Sequence, residues 1–403
     1  MNTSYQMAAR QSFQTSRMRI GQFTDSFPPI INGVSAFISE HHQQLLRQGC
    51  RAYIFTFGYN KYRAPGVVRS PGLPYGPSEF RTNLFLSPRA TRLARGLDVF
   101  HVHEPFGIGG IALRIARQAD RPVIFTNHTQ HDVYIENFPK LIQPPLQGHM
   151  LRTMATFLRS SAISTTPSEF TARWMRHIAP EVGDRVQVVH NGIDLSKFDH
   201  AGMPFPREQL GISPSSTVFI YVGRLTPEKN LPVFAEAFLQ AMQSGSDADW
   251  IVVGEGRLHT VLQEQLGAIA SRVHFLGAMP RQQIPAYLAL ADVFATPSLS
   301  EVNPISVIEA MASGKPFIGL QAGWWSEFEG HERAGILTQH STPALLDAIS
   351  RLCRDRAHRL AMGIQARLVS QQFDIRSVTA RWLELYSRVA ATTSVHSAWN
   401  IRH

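Results

Sequence analysis

Residues 296–316, TPSLSEVNPISVIEAMASGKP, constrain the fold of this chain more than any other stretch. An apolar run ends at Thr296-Pro297, a short polar loop follows, and apolar residues then recur at helical spacing from Pro304 to Ala312. Pro304 suits a first helical position, where its missing N–H would be unpaired anyway. Ser313-Gly314 stops the helix, because glycine takes the left-handed turn that other residues resist. The unit is strand, loop, helix, with Glu301 in the loop and Glu309 eight positions on, inside the helix. A strand joined this way to a helix belongs in a sheet covered by helices, an α/β architecture.

The first-turn N–H groups of that helix point back toward Glu301 and form an anion cradle. Two carboxylates flanking free backbone donors suit a ligand with hydroxyls at its ends and a diphosphate between them. That is the chemistry of a nucleotide-sugar. For the pair alone the plainer reading is a capped loop and a solvated helix face. Val307, Ile308 and Met311 weigh against it, since they leave Glu309 beside the buried face.

The same unit recurs along the chain. A strand at Arg19–Thr24, the loop DSFPPIINGVSAF, a helix from Val34 to Gln48 and a strand at Arg51–Phe57 make a Rossmann-like opening. It lacks G-x-G-x-x-G, so dinucleotide binding is not signalled. Asn32-Gly33 lets backbone approach a phosphate or sugar just before a helix N-terminus, or is simply a tight turn. Residues 58–96 read as loops with a short strand at Asn83–Leu86, then a short helix with Arg89, Arg92 and Arg95 on one face, solvated or membrane-touching. Strands at Asp98–His103 and Val123–Thr126 flank a helix over Gly109–Ala119 and lead to NHTQHDVYIENF. His128 there follows a strand's carboxyl end, the ligand-facing edge of an open α/β sheet. His101, His103, His128 and His131 raise a metal site. They sit on separate elements, however, and packing is the ordinary fate of each.

An amphipathic helix over Leu146–Ile163, an N-cap at Ser168 and a strand at Val186–His190 complete this series. Leu195–Ser216, polar with Pro and Gly, reads as a linker. A second series opens at Val218–Val222 and runs into GRLTPEKN. Arg224 and Lys229, at a strand-to-helix turn, are the right cations for a diphosphate, or else ordinary surface charge. Further strands follow at Trp250–Val253, Val273–Leu276, Val293–Ala295 and Phe317–Leu320. Trp324-Trp325 then either shape an opening or close a loop. A last helix is expected over Asp374–Ala390, with a loose tail from Thr392.

SEVNPISVIEAMASGKP, GRLTPEKN and HNGID (190–194), in this order, resemble the family-four retaining glycosyltransferases of the GT-B fold. TDSFPPIINGVSAF and FTNHTQHDVY resemble the subgroup that glycosylates diacylglycerol. The resemblance covers residues 18–390. It implies two Rossmann-like domains facing a cleft, with the terminal helix crossing back to the first. The expected parts are an extension over 1–17, an acceptor-binding domain over 18–195, a nucleotide-sugar-binding domain over 196–372, a crossover helix over 373–390 and a tail over 391–403. It implies transfer from a nucleotide-sugar, UDP-hexose foremost, to an acceptor hydroxyl with retention, and neither a cofactor nor a protein-bound metal. Arg224 and Lys229 would meet the diphosphate, Glu301 the sugar, His128 the sugar or the reacting region, and Glu309 the ribose. Asn32, Gly33, Asn303 and Ile305 complete the implied donor contacts. The chain departs from the family at Pro304, where a Gly is usual, at Asn127, where an aromatic precedes the histidine, and at Trp324-Trp325 in place of a Gly pair.

Composition narrows the partners. At 403 residues the chain is long for one core, which fits two domains. Cys50 and Cys353 lie in different halves and fit a reducing compartment, here the cytoplasm. No apolar run approaches the roughly 20 residues that span a bilayer. Residues 1–195 hold 21 Lys and Arg against 12 Asp and Glu, while residues 196–403 hold 18 of each, so the whole excess of nine lies in the first half. An anionic membrane surface is the expected partner of that charge, with a lipid or a sugar as acceptor. Nucleic acid ranks last, since no binding module is visible. The alternatives are a soluble sugar, oligosaccharide or polysaccharide acceptor, or a nucleotide-binding protein without transferase activity on the same fold.

Overall fold

In the computed structural model the described residues are 18–400, apart from 31, 59–63, 75–80, 131–139, 200, 201, 203, 204 and 329–331. The extension expected over 1–17 and His131 lie outside them. The chain divides into two compact units, one built from residues up to Gly192 together with those from Ile375 onward, the other from Ile193–Asp374.

The first unit carries β1 (Arg19–Phe23), β2 (Arg51–Phe57), β3 (Val67–Ser70), β4 (Leu73–Pro74), β5 (Arg81–Thr82), β6 (Val99–Val102), β7 (Val123–Thr126), β8 (Ile163–Thr166) and β9 (Val186–Val188). Its main sheet is parallel throughout, in the order β3-β2-β1-β6-β7-β8-β9. Phe23 stacks between Phe55 and Phe100, with ring centroids 4.6 and 5.2 Å away. All three are apolar strand residues, and their contacts tie the three central strands to one core. The second unit carries β10 (Thr217–Val222), β11 (Ala248–Val253), β12 (Val273–Gly277), β13 (Val293–Thr296), β14 (Phe317–Leu320) and β15 (Gly335–Thr338), again all parallel, in the order β12-β11-β10-β13-β14-β15. Phe219, Phe234, Phe238 and Trp250 fill its core.

Both sheets reverse their strand order once, between β1 and β6 and between β10 and β13. Ligands of open α/β sheets bind outside the carboxyl ends of the strands at such a reversal. This alone selects the loops after β1 and β6 in one unit, with β7 next to them, and after β10 and β13 in the other.

Three expectations need correction. Asn83–Leu86 is not a strand; β4 and β5 pair instead, and the Asn83 side chain turns back to accept from the Leu84 N–H at 2.7 Å. Pro304 caps the helix Ile305–Ala312 rather than entering it, with ψ of 109° and a carbonyl that accepts from Val307 and Ile308. The terminal helix runs over Ile375–Asn400, past the tail expected to be loose, because no Gly or Pro interrupts residues 391–400.

Candidate active site

In the second unit, β10 delivers its chain to a turn held by the Tyr221 hydroxyl, which donates to the Arg224 carbonyl at 2.8 Å. A neighbouring turn presses on it: a Cβ on Gly254 would stand 1.8 Å from the Gly223 carbonyl oxygen, so only glycine fits. Lys229 ends the short 3-10 turn that follows, and its Nζ lies 2.5 Å from Glu301 Oε1. Both side chains are mostly covered, at 16% and 17% exposure. Arg224 is half-exposed and pairs loosely with Glu228 at 3.3 Å. Burial alone would raise the Glu228 carboxyl; the Thr226 hydroxyl and the charges of Arg224 and Lys229 hold it below the ordinary range instead. Arg224 and Lys229 thus stand as cations on one turn, facing the Glu301 loop.

Glu309 is 4% exposed and meets Arg281 at 2.7 Å. That excludes the solvated-face reading for this residue, since a buried carboxylate needs a partner. Asn303 is buried in the loop, and Ile305 opens the helix. The intrahelical bonds begin with Val307 and Ile308, which donate to the Pro304 carbonyl, so by helix geometry it is the Ile305 and Ser306 N–H groups that have no intrahelical acceptor. Trp324 and Trp325 are buried, stacked at 3.9 Å, and donate to the carbonyls of Ser298 at 3.3 Å and Leu320 at 2.7 Å. They close the loop onto the second core; they do not line an opening.

In the first unit, Asn32 caps the helix Gly33–Arg47: its Oδ1 accepts from Ser35 N at 2.8 Å, and Ser35 Oγ accepts from Asn32 N at 3.1 Å. The side-chain oxygen is therefore spent on the cap, while exposed Gly33 leaves its backbone open. His128 follows β7, and its Nε2 lies 2.9 Å from Nδ1 of His103, which follows β6. His101 uses both ring nitrogens, on the Tyr386 hydroxyl at 2.7 Å and Thr126 at 2.7 Å, so it has none for a metal. Burial pulls His41 and His128 down to about 3 and His101 and His103 well below the ordinary imidazole range, so all four are neutral at pH 7.

One pair escaped the sequence reading. Asp25 follows β1 and Glu104 follows β6, and adjacency of those strands brings them together. Glu104 accepts from the Thr24 hydroxyl at 3.0 Å and the Asp25 N–H at 3.2 Å, and Asp25 accepts from the Ile108 N–H at 3.3 Å. Gly107, at φ 50°, leaves room for Asp25, whose Oδ2 would stand 2.2 Å from any Cβ there. Burial pushes Glu104 up to about 7; burial and the Glu104 charge push Asp25 well above its usual range. The signal was available: two carboxylates, each just past a strand's carboxyl end at the sheet's reversal.

Comparison with known proteins agrees with this geometry. The model described as Glycosyltransferase Family 4 matches residues 31–197, and the one described as Glycosyl transferases group 1 matches residues 216–355. The chain is 29% identical over 316 residues to the alpha-monoglucosyldiacylglycerol synthase of Streptococcus pneumoniae (strain ATCC BAA-255 / R6), covering 75% of this chain and 70% of that protein. It is 27% identical over 395 residues to the D-inositol 3-phosphate glycosyltransferase of Nocardia farcinica (strain IFM 10152), covering 91% and 86%. Among solved structures, Anabaena Alr3699/HepE in complex with UDP-glucose superposes with a TM-score of 0.70 at 20% identity, covering 92% of this chain and all of that one, a likeness of fold.

Proposed function

This chain belongs to the family-four glycosyltransferases, and from that premise we propose that it moves a hexosyl group from a UDP-sugar to a membrane-lipid hydroxyl, such as that of diacylglycerol, with retained anomeric configuration. The observation that carries the donor side is the Lys229–Glu301 contact at 2.5 Å beside Arg224, at the reversal of the second sheet. In the proposed reaction a bound diphosphate takes Glu301's place as the counter-ion of Lys229. Arg224 and Lys229 then offset the charge that grows on the departing diphosphate, which preorganised cations do more effectively than water. Glu301 turns to the sugar hydroxyls, Glu309 holds the ribose, and Asn303 and Ile305 complete the cradle. The roles of Asn32, Gly33 and His128 rest on the family resemblance and on their places beyond the strands of the first sheet.

The lipid acceptor has separate support. The diacylglycerol-type wording of the β1 and β7 loops agrees with the similarity to the streptococcal synthase. Leu84 and Phe85, 78% and 66% exposed, precede the helix Pro88–Arg95, whose Arg89, Arg92 and Arg95 are exposed in turn. Apolar residues beside arginines suit an anionic membrane surface, at about 1 kcal/mol for each nearby basic residue. Among the described residues no helix is long and apolar enough to cross a membrane.

The test is an incubation with radiolabelled UDP-glucose or UDP-galactose and either lipid vesicles or soluble sugars. Label should enter the organic phase and depend on vesicles. Label only in the aqueous phase favours the soluble acceptor, the reading that similarity to the inositol phosphate enzyme suggests. No transfer from any UDP-sugar overturns the proposal.

A further inference from the structure

His103 and His128 share one hydrogen bond, and each has its other ring nitrogen buried without a partner among the described residues: Nε2 of His103 and Nδ1 of His128. Two neutral imidazoles carry one N–H each. The 2.9 Å contact uses one of them, so the other N–H has no partner among the described residues. Two arrangements are possible. If His128 donates, the stranded N–H is Nε2–H of His103, which is 1% exposed and whose ring lies against that of His101 at 4.0 Å. His103 is closed off on all sides, whereas His128 is partly exposed. If His103 donates from Nδ1, the stranded N–H is Nδ1–H of His128, just past the carboxyl end of β7 on the ligand-facing edge. Nδ1 itself is covered, but it belongs to a partly exposed residue at that edge, where a bound molecule that displaces its cover could accept from it. An unmet buried donor costs about 1–3 kcal/mol, permanently in the first arrangement and only until a ligand arrives in the second.

The ring beneath this pair is itself fixed. The Thr165 hydroxyl donates to the Phe125 carbonyl at 3.4 Å, so the 2.6 Å Thr126–Thr165 contact takes its proton from Thr126. Thr126 must then accept from His101 Nε2–H, which leaves Nδ1 to accept from the Tyr386 hydroxyl. The donors run one way, from the terminal helix into the sheet. His101 cannot turn to rescue a stranded proton on His103.

We infer that His103 is a positioning residue that locks His128 as its Nδ1–H tautomer, a hydrogen-bond donor aimed at an oxygen of the bound ligand. The inference rests on the proposed function only for the identity of that oxygen, a sugar hydroxyl. It assigns His128 a donor's part rather than that of a base: at neutral pH its accepting nitrogen is occupied by His103.

Two-bond ¹H–¹⁵N correlation spectra of the full chain labelled in histidine report which ring nitrogen bears the proton. They need no substrate, so they are independent of whether the transferase reading holds. His128 should show a protonated Nδ1 and a bare Nε2, assigned by loss of its signals in His128→Asn. In His103→Phe, which keeps a ring but loses the donor, His128 should leave that tautomer, and turnover with UDP-sugar should fall roughly 10- to 100-fold, as loss of an orienting partner does elsewhere. His103→Gln, whose amide N–H can donate to Nε2, should restore part of both. A wild-type His128 protonated at Nε2 overturns the inference, and so does an unchanged tautomer in a folded His103→Phe. Should His103→Phe not fold, the wild-type spectrum decides alone.

Discussion

Charge at single residues is where the donor-side account is most exposed. Removing Arg224 or Lys229 as Arg224→Ala or Lys229→Ala should each cut turnover by on the order of 100-fold or more in folded protein, measured at saturating UDP-sugar. Near-normal rates would remove both from the site. Lys229→Ala also strands Glu301, so adding Glu301→Gln to it should cost less than the two single losses together. Both residue types were legible in the sequence, and so was the turn that carries the cations. Their pairing was not: Lys229 and Glu301 are 72 positions apart, and only the adjacency of β10 and β13 joins them. Asp25 and Glu104 escaped for the same reason, across β1 and β6.

Acid should reveal the buried histidines. Their folded-state pKa values are depressed, so the stability they contribute is complete above the unfolded value near 6.5 and is lost as pH falls toward about 3. Glu104, raised to about 7, acts with the opposite sign: its contribution is complete below about 4.5 and is lost as pH rises through 7. Thermal unfolding of the wild type should therefore drop below pH 6.5, steeply because several histidines act together. Glu104→Gln should gain stability relative to wild type at pH 8 and little at pH 4.5. A melting temperature flat from pH 5 to 8 in both proteins would contradict these environments.

At the scale of elements, the terminal helix matters more than its position suggests. Trp382 and Tyr386 are fully buried in the first unit, with Trp382 4.5 Å from the His101 ring and Tyr386 bonded to His41 at 3.1 Å. Tyr386→Phe keeps the packing and leaves His101 Nδ1 without its donor, so it should destabilise by about 1–3 kcal/mol, read as a shift of the denaturant midpoint. No shift would mean that the ordered chain of donors is absent. The sequence announced this helix through its apolar residues. It could not announce the helix's end, because nothing in residues 391–400 stops one, nor Pro304 as a cap, because proline is favoured at the first helical position and its missing N–H is equally no loss one position earlier. Trp324 and Trp325 were undecided for a similar reason: a Trp suits a rim or a core, and only the carbonyls of Ser298 and Leu320 within reach of their N–H groups decide for the core.

For the whole molecule, the architecture was readable because strand, loop and helix repeat in order, and each repeat has one way to bury its apolar face. The acceptor was less so. Charge asymmetry names a kind of surface and no molecule, and an exposed Leu84-Phe85 acquires meaning only beside the arginines that follow it. The proposed reaction makes a retained glycosidic bond to a lipid. The direct measurement is proton NMR of the product formed from UDP-glucose and diacylglycerol vesicles. An anomeric signal with the small coupling of an α-linked glucosyl diacylglycerol is the predicted result, since the donor sugar is α-linked. A β-linked lipid product, or glucose found only on a soluble acceptor, would contradict it.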